Sequence, residues 1–221
     1  RCKMKTTKST ITTTLITSKD DKYTYEVRKD LDNDKQGVAV VIMLYPGISS
    51  ADIYQCDNTT QSLIDHMPDL EAGTIRILNL FSKVCSARMS TRSITVDQDN
   101  LKYIESVMKE KNSPEYIWIF AWGSSMASSA VANQTKRTIL ELMSKYLPEN
   151  KPQQLTVDGL DVKSENAVHP LFLKIRYGSN RWILEDYVMP QGLSSNLADG
   201  NKKVIKDIRR KGKSDVLQAS K

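Results

Sequence analysis

Continuous runs of apolar, mostly β-branched residues recur along the chain and predict buried strands. The four runs are 38–44, 74–79, 116–121 and, more weakly, 154–157. Strands have such continuous apolar sequences when helices cover both faces of a parallel sheet. A shorter stretch at 23–27 instead alternates between apolar and polar residues, which is typical of a half-buried strand. It predicts an N-terminal edge strand or hairpin.

Amphipathic helices are predicted between these runs, because apolar residues recur there at spacings of three to four. The helical segments are 59–67, 98–109 and 130–146. Buried strands that alternate with such helices indicate an α/β protein, a three-layer α/β/α sandwich with a central, mostly parallel four-stranded sheet. We expect an N-terminal extension with the edge strand at 1–36, the α/β domain at 37–190 and a basic tail at 191–221.

The composition suits one domain with a basic surface. The chain has 221 residues, 39% of them hydrophobic, which is enough for a single core. Its 32 Lys and Arg exceed its 26 Asp and Glu by six, so the net charge favours a polyanionic partner. Much of the excess lies after residue 201. A nucleic-acid-binding arm and a solvated, disordered segment are both consistent with such a tail.

The cysteines indicate a reducing compartment. Cys2, Cys56 and Cys85 are odd in number and show no CxxC pair, which argues against a disulfide framework and a structural zinc site. No run of about 18 apolar residues predicts a membrane span, and the N-terminus has no hydrophobic signal region. We therefore expect a cytoplasmic protein.

Candidate ligand residues follow the predicted strands, since right-handed crossovers bring the carboxyl ends of parallel strands to one edge. The first strand leads into a loop of small residues that begins Tyr45-Pro46-Gly47, where backbone can approach a ligand closely. The second ends at Asn79, whose amide needs both donors and acceptors. That amide either ties down a loop or faces a ligand.

The remaining polar positions follow the later strands. Ser124 and Ser125 come after Trp122-Gly123, and we expect these small residues to open a helix whose N-terminus suits close packing or an anion. His169 has apolar flanks, which should lower its pKa toward the neutral form. The other histidine, His66, lies on the polar side of a predicted helix and is expected at the surface.

These motifs, in their order, resemble the uracil-DNA glycosylase superfamily. The series is Met43-Leu44-Tyr45-Pro46, Asn79-Leu80-Phe81, Ala121-Trp122-Gly123 and His169-Pro170-Leu171. More narrowly, it resembles a bacterial domain-of-unknown-function family with glycosylase-like motifs. The loop from Tyr45 is similar to the Asn-Pro-Gly motif of mismatch-specific uracil glycosylases, and 169–173 is similar to their His-Pro-Ser-Pro-Leu motif. The resemblance extends over about 23–182.

The resemblance implies a monomeric, monofunctional DNA glycosylase that hydrolyses the N-glycosidic bond of a flipped uracil during DNA repair, without metal or redox cofactor. Asn79 would read the base edge, and His169 would donate a hydrogen bond to uracil O2 as charge builds on the departing base. Tyr45, Pro46 and Gly47 would complete the pocket. Contacts to DNA would come from Leu173 as an apolar wedge and from Lys174, Arg176, Ser124 and Ser125.

Tyr45 departs from the superfamily pattern, which has Asp, Asn, Glu or Ala at that position. Its hydroxyl could position the attacking water, its ring could exclude the thymine methyl group, or the water could belong to Asp52 or Asp57. Asp57 could equally cap a helix. Tyr54 and Phe81 are candidates for stacking on the base, with core packing as the alternative for each.

Three other functions are consistent with the same sequence. The chain could be a non-catalytic nucleic-acid-binding module on this fold, a glycosylase for another modified base, or a nucleoside or nucleotide hydrolase. Fold alone does not decide among them.

Overall fold

The computed structural model describes residues 4–85, 94–159, 167–178 and 180–188, and the basic tail at 191–221 lies outside them. The strands are β1 (Ile11–Thr17), β2 (Thr24–Leu31), β3 (Gly37–Met43), β4 (Ala72–Asn79), β5 (Ile117–Phe120), β6 (Gln153–Val157) and β7 (Trp182–Asp186). The α-helices are α1 (Asn58–Asp65), α2 (Gln98–Met108), α3 (Ala130–Tyr146) and α4 (Pro170–Tyr177). The predicted α/β class is confirmed.

One sheet contains all of these strands, in the order β1-β2-β4-β3-β5-β6-β7. The neighbours β4, β3, β5 and β6 pair in parallel. The pairs β1·β2, β2·β4 and β6·β7 are antiparallel. The described residues form seven strands: the four inner ones are parallel, and antiparallel strands flank them on both sides, β1 and β2 on one and β7 on the other.

The N-terminal residues belong to this sheet. β1 and β2 form an antiparallel pair, and β2 continues onto β4 through pairs such as Val27 with Ile77. The described residues up to Tyr187 form one compact unit, so the hairpin is part of the same body as the later strands. None of the helices in the described ranges is long and apolar enough to cross a membrane.

Alternate residues of the strands face two different layers of helices. Val41, Ile75 and Ile119 pack in one cluster with Leu63 of α1 and Leu173 of α4. The opposite face meets α2 and α3, because successive side chains of a strand point to opposite sides. The carboxyl ends of β3 and β4 thus lie close to the start of α1.

A buried ion network fastens α2 to its face of the sheet. Arg76 of β4 donates from Nε and Nη2 to the two carboxylate oxygens of Glu26, each at 2.8 Å. Its Nη1 donates to Glu110 at 2.6 Å, and the hydroxyl of Tyr103 in α2 donates to Glu26 at 2.6 Å. Paired in this way, the charges satisfy one another in the interior.

Candidate functional site

A small pocket opens at the carboxyl ends of β3 and β4. Six of the candidate site residues from the sequence line it: Tyr45, Pro46, Gly47, Asp57, Asn79 and His169. Its volume is about 60 Å³. Since one water needs roughly 10–15 Å³ of such space, the pocket has room for a few waters and matches the scale of a single ring.

Backbone hydrogen bonds hold the two loops of the pocket side by side. Beyond β3 and β4, the amide of Leu80 donates to the carbonyl of Met43 at 2.9 Å, and Phe81 donates to Leu44 at 3.1 Å. The pairing of parallel strands therefore continues past the strand ends. Tyr45 and Asn79 reach the same pocket for this reason.

Asn79 brings a buried acceptor that has no partner among the described residues. The residue is 1% exposed, and its side-chain Oδ1 makes no hydrogen bond there. The loop is tied down by Asn100 of α2, whose Nδ2 donates to the carbonyls of Asn79 and Leu80 at 2.7 and 3.2 Å. An unsatisfied buried acceptor typically costs about 1–3 kcal/mol, so the Oδ1 of Asn79 still requires a hydrogen-bond donor.

His169 presents a neutral ring with its proton on Nε2. It is the N-cap of α4, and its Nδ1 accepts a hydrogen bond from the amide of Leu171 at 3.3 Å. A neutral imidazole whose Nδ1 accepts must donate from Nε2. Burial lowers the pKa of His169, and the nearby Asp57 carboxylate only partly opposes this shift. The predicted direction is confirmed.

Gly123 supports the ring of His169 from the neighbouring loop. Its amide donates to the carbonyl of Ala167 at 2.8 Å, and its φ is +68°. A Cβ at this position would lie 3.1 Å from the Cβ of His169. Glycine is favoured here both by conformation and by space.

Asp57 divides its carboxylate between a helix and the pocket. One oxygen accepts from the amide of Thr60 at 2.7 Å and caps α1. The other, Oδ2, lies 3.7 Å from where a Cβ on Gly47 would stand, and Asp57 lines the pocket. The helix-cap interpretation of Asp57 is therefore confirmed, and the same residue also lies in the pocket lining.

Asp52 lies outside the pocket lining. It is the last residue of the short 3₁₀ turn Ser50–Asp52 and forms a capping box with Ser49, whose hydroxyl donates to its Oδ2 at 2.7 Å. Its other oxygen accepts from Gln55 at 3.0 Å. Of the two carboxylates considered for handling water, only Asp57 reaches the pocket.

The predicted stacking residues lie elsewhere. Tyr54 is 99% exposed, whereas Phe81 is buried in the core, and neither lines the pocket. Ser124 and Ser125 are exposed, but they do not open a helix because α3 begins only at Ala130. A turn separates β5 from α3, and the sequence gives it no distinct signal.

The assignment of Leu173 as a DNA wedge is wrong. Leu173 is fully buried in the core cluster, because residues three apart on α4 share a face and Pro170 is also buried there. The outer face of α4 instead carries Phe172, which is 46% exposed, and Ile175. Lys174 lies 4.0 Å from Asp65, and Arg176 lies over the Phe172 ring.

Sequence reasoning did not identify Gly123 or Asn100 as supports of the site. Asn100 follows the α2 N-cap Asp97, whose Oδ1 accepts from the Asn100 amide at 3.1 Å. The available signal was a buried polar residue on the apolar face of a predicted helix. Gly123 shows its importance only through its contact with His169, which is distant in sequence.

The fold and site define an α/β protein with a small polar pocket at the carboxyl ends of two parallel strands. The chain belongs to the family described as "Protein of unknown function (DUF1643)", whose model matches residues 24–171, more than half of the chain. The match runs from the start of β2 to the first turn of α4. No curated protein and no solved structure matches the chain.

Proposed function

We propose that this protein is a DNA glycosylase that hydrolyses the N-glycosidic bond of uracil in DNA. One observation carries the proposal: two residues with suitable groups line the same pocket, Asn79, whose buried amide oxygen has no partner among the described residues, and His169, a neutral imidazole donor. The fold would be uracil-DNA-glycosylase-like, a three-layer α/β/α sandwich around the four inner, parallel strands. The resemblance of the motifs supplies the substrate class.

Asn79 would select the base. Its Oδ1 accepts the N3 hydrogen of uracil, and its amide nitrogen donates to O4. Cytosine presents an acceptor at N3, which would face Oδ1 without a hydrogen between them. Leaving both groups unsatisfied costs about 1–3 kcal/mol, so the pocket favours uracil over cytosine. Its single-ring scale also disfavours a purine.

His169 would stabilise the leaving base. As the bond between C1′ and N1 breaks, the electron pair moves onto the base and charge accumulates at O2. The Nε2 hydrogen of His169 donates to that oxygen from a fixed ring. Preorganised donors of this kind typically contribute ~3 kcal/mol of transition-state stabilisation, or about a hundredfold in rate.

Asp57 would position the attacking water, with Tyr45 forming a wall of the pocket. The free carboxylate oxygen of Asp57 accepts a hydrogen bond from water, whose oxygen forms the new bond to C1′. The water proton passes to the carboxylate and then, through solvent, to the uracil anion, so the products are free uracil and an abasic site. This assignment rests on the position of Asp57 in the pocket lining, which Asp52 does not share.

An abasic-site cleavage assay tests the proposal. The substrates are single-stranded and duplex oligonucleotides with uracil opposite guanine or adenine, and the variants are Asn79→Ala, His169→Ala and Asp57→Asn. We expect activity to collapse in the first two and to fall by about 10²–10³-fold in the third. Asparagine is a good N-cap, so Asp57→Asn keeps the start of α1.

Asp52→Asn is the matched control, because it removes a carboxylate from the same loop but outside the pocket lining. Its activity should stay at the parental level. If the parent removes no uracil from any substrate, the catalytic proposal is wrong. DNA binding that persists with a steep salt dependence would then favour the non-catalytic binding module.

A further inference from the structure

A cluster of buried polar atoms on the α3 side of the sheet lacks partners in the described part of the chain. Four such atoms belong to Trp122 (Nε1), Gln154 (Oε1), Thr156 (Oγ1) and Tyr187 (Oη). Buried polar atoms usually have partners, and single exceptions are uncommon. Several on one face therefore indicate a missing occupant.

Two members of the cluster, Trp122 and Tyr187, belong to one group of packed aromatic rings. Phe120 stacks on Trp122 at 4.4 Å, and the edge of Tyr187 meets Phe120 and Trp122 at 5.1 and 5.6 Å between ring centroids. Gln154 is the strand partner of Phe120 and lies on the same face of the sheet. Thr156 lies two residues further along β6, so its side chain points to that face as well.

Lys136 of α3 brings a positive charge to this cluster. Its Nζ lies 5.3 Å from the ring centroid of Trp122, and the residue is only 2% exposed. Burial lowers the pKa of Lys136 to about 8, and no carboxylate contributes to that shift. Water could satisfy the neutral polar atoms, but it brings no negative charge to an ammonium group held in the interior.

The donors and acceptors of the cluster define the occupant further. Nε1 of Trp122 can only donate, and burial raises the pKa of Tyr187, which keeps its phenol protonated and able to donate. Gln154 is oriented by Glu185, which accepts from its Nε2 at 2.8 Å. Its Oε1 is therefore fixed as an acceptor that requires a hydrogen from the occupant.

We propose that this cluster is a binding site for a small oxyanion that also carries a hydroxyl group, such as hydrogen phosphate. The anion's charge pairs with Lys136, and its oxygens accept from Trp122 and Tyr187. Its hydroxyl donates to Oε1 of Gln154. The site is on the opposite side of the sheet from the α1 and α4 layer, and it does not depend on the proposed glycosylase activity.

Thermal unfolding and calorimetric titration with inorganic phosphate at constant ionic strength and pH 7 test this site. For the parent we expect saturable binding with a matching rise in Tm. Sulfate, which has no proton at this pH, should bind on the order of tenfold more weakly because it cannot donate to Gln154. Acetate, which lacks a hydroxyl group, should behave like sulfate.

Lys136→Met should abolish phosphate binding while the chain stays folded, since a methionine removes the charge and keeps an unbranched side chain only one heavy atom shorter. Thr156→Val keeps the charge and removes one hydroxyl, so its phosphate affinity should fall without vanishing. A parent that shows no saturable binding overturns the proposal. So does a rise in Tm that is equal in the parent and in Lys136→Met, or that is equal for phosphate and sulfate, because both would report a general salt effect.

Discussion

Gly123→Ala isolates the contact that positions the ring of His169. The substitution adds one methyl group at a residue with φ of +68°, 3.1 Å from the Cβ of His169. A non-glycine residue in this left-handed region costs about 1–2 kcal/mol on backbone grounds alone. The methyl contact comes in addition, and the histidine side chain must move by a few tenths of an ångström to relieve it.

Gly159→Ala supplies the backbone cost without the contact. Gly159 has φ of +79°, and a Cβ there would meet nothing within 4 Å. Both variants should therefore lose about 1–2 kcal/mol in the free energy of unfolding. Only Gly123→Ala should also displace the side chain of His169 at the pocket.

The two variants are compared by denaturant unfolding, by NMR of the histidine ring and by the uracil-removal assay. We expect the ring resonances and the pKa of His169 to change in Gly123→Ala and to stay at parental values in Gly159→Ala. A misplaced donor should lower the rate of uracil removal by about ten- to a hundredfold. If the two variants give the same ring resonances and the same activity, Gly123 does not position His169.

Three further predictions concern buried charges. Lys136→Met should raise the free energy of unfolding at pH 7 by about 3 kcal/mol, because the pKa of Lys136 falls from 10.5 to about 8 on folding. In denaturant titrations this gain in stability should shrink between pH 8 and 10.5. A variant that is no more stable than the parent would contradict the prediction. Arg76→Met should destabilise the fold by about 3–5 kcal/mol, measured by urea unfolding, because it leaves Glu26 buried without its partner. The control is Lys102→Met, which breaks an exposed ion pair with Asp99 and should change stability little. The pKa of His169 is lower in the folded chain than in the unfolded chain, so the unfolded chain is protonated first and stability should fall as the pH drops from 6.5 through the folded-state pKa. His169→Asn keeps an N-cap residue and should remove this fall in stability from the pH profile. An unchanged profile would refute the lowered pKa of His169.

The inner strands were predictable because their burial on both faces leaves a continuous apolar signature. β3, for example, was expected at 38–44 and lies at Gly37–Met43. β7 was not predicted, and β1 was covered only by the alternative of an N-terminal hairpin. β1 has four threonines and is mostly exposed, and β7 is short and ends in two acidic residues, so neither has the signature of a buried strand.

The environments of some individual residues could not be predicted, because they depend on packing against residues distant in the sequence. His66 was expected at the surface, but its ring stacks on Trp182 at 4.1 Å and its Nδ1 lies 2.8 Å from Oδ2 of Asp69. Nothing near His66 in the sequence indicates Trp182. Leu173 was misplaced for a related reason, since its orientation depends on where α4 begins.

The main residues of the pocket were predictable from the sequence, but the residues that hold them in place were not. Strand-end positions brought Asn79 and His169 together as expected, although His169 follows a long connection and caps α4 rather than ending a strand. The choice between Asp52 and Asp57 needed the start of α1, which a sequence pattern locates only to within a few residues.

The shared use of Asp57 links a local melting event to the proposed chemistry. One oxygen of its carboxylate holds the first turn of α1, and the other faces the pocket. Helix ends open at a much lower free energy than the whole fold does. If that turn frayed, the Asp57 carboxylate would leave its fixed position at the pocket and could no longer hold the proposed attacking water. Heating should therefore abolish turnover before the sheet unfolds, and substrate that occupies the pocket should keep the first turn of α1 closed.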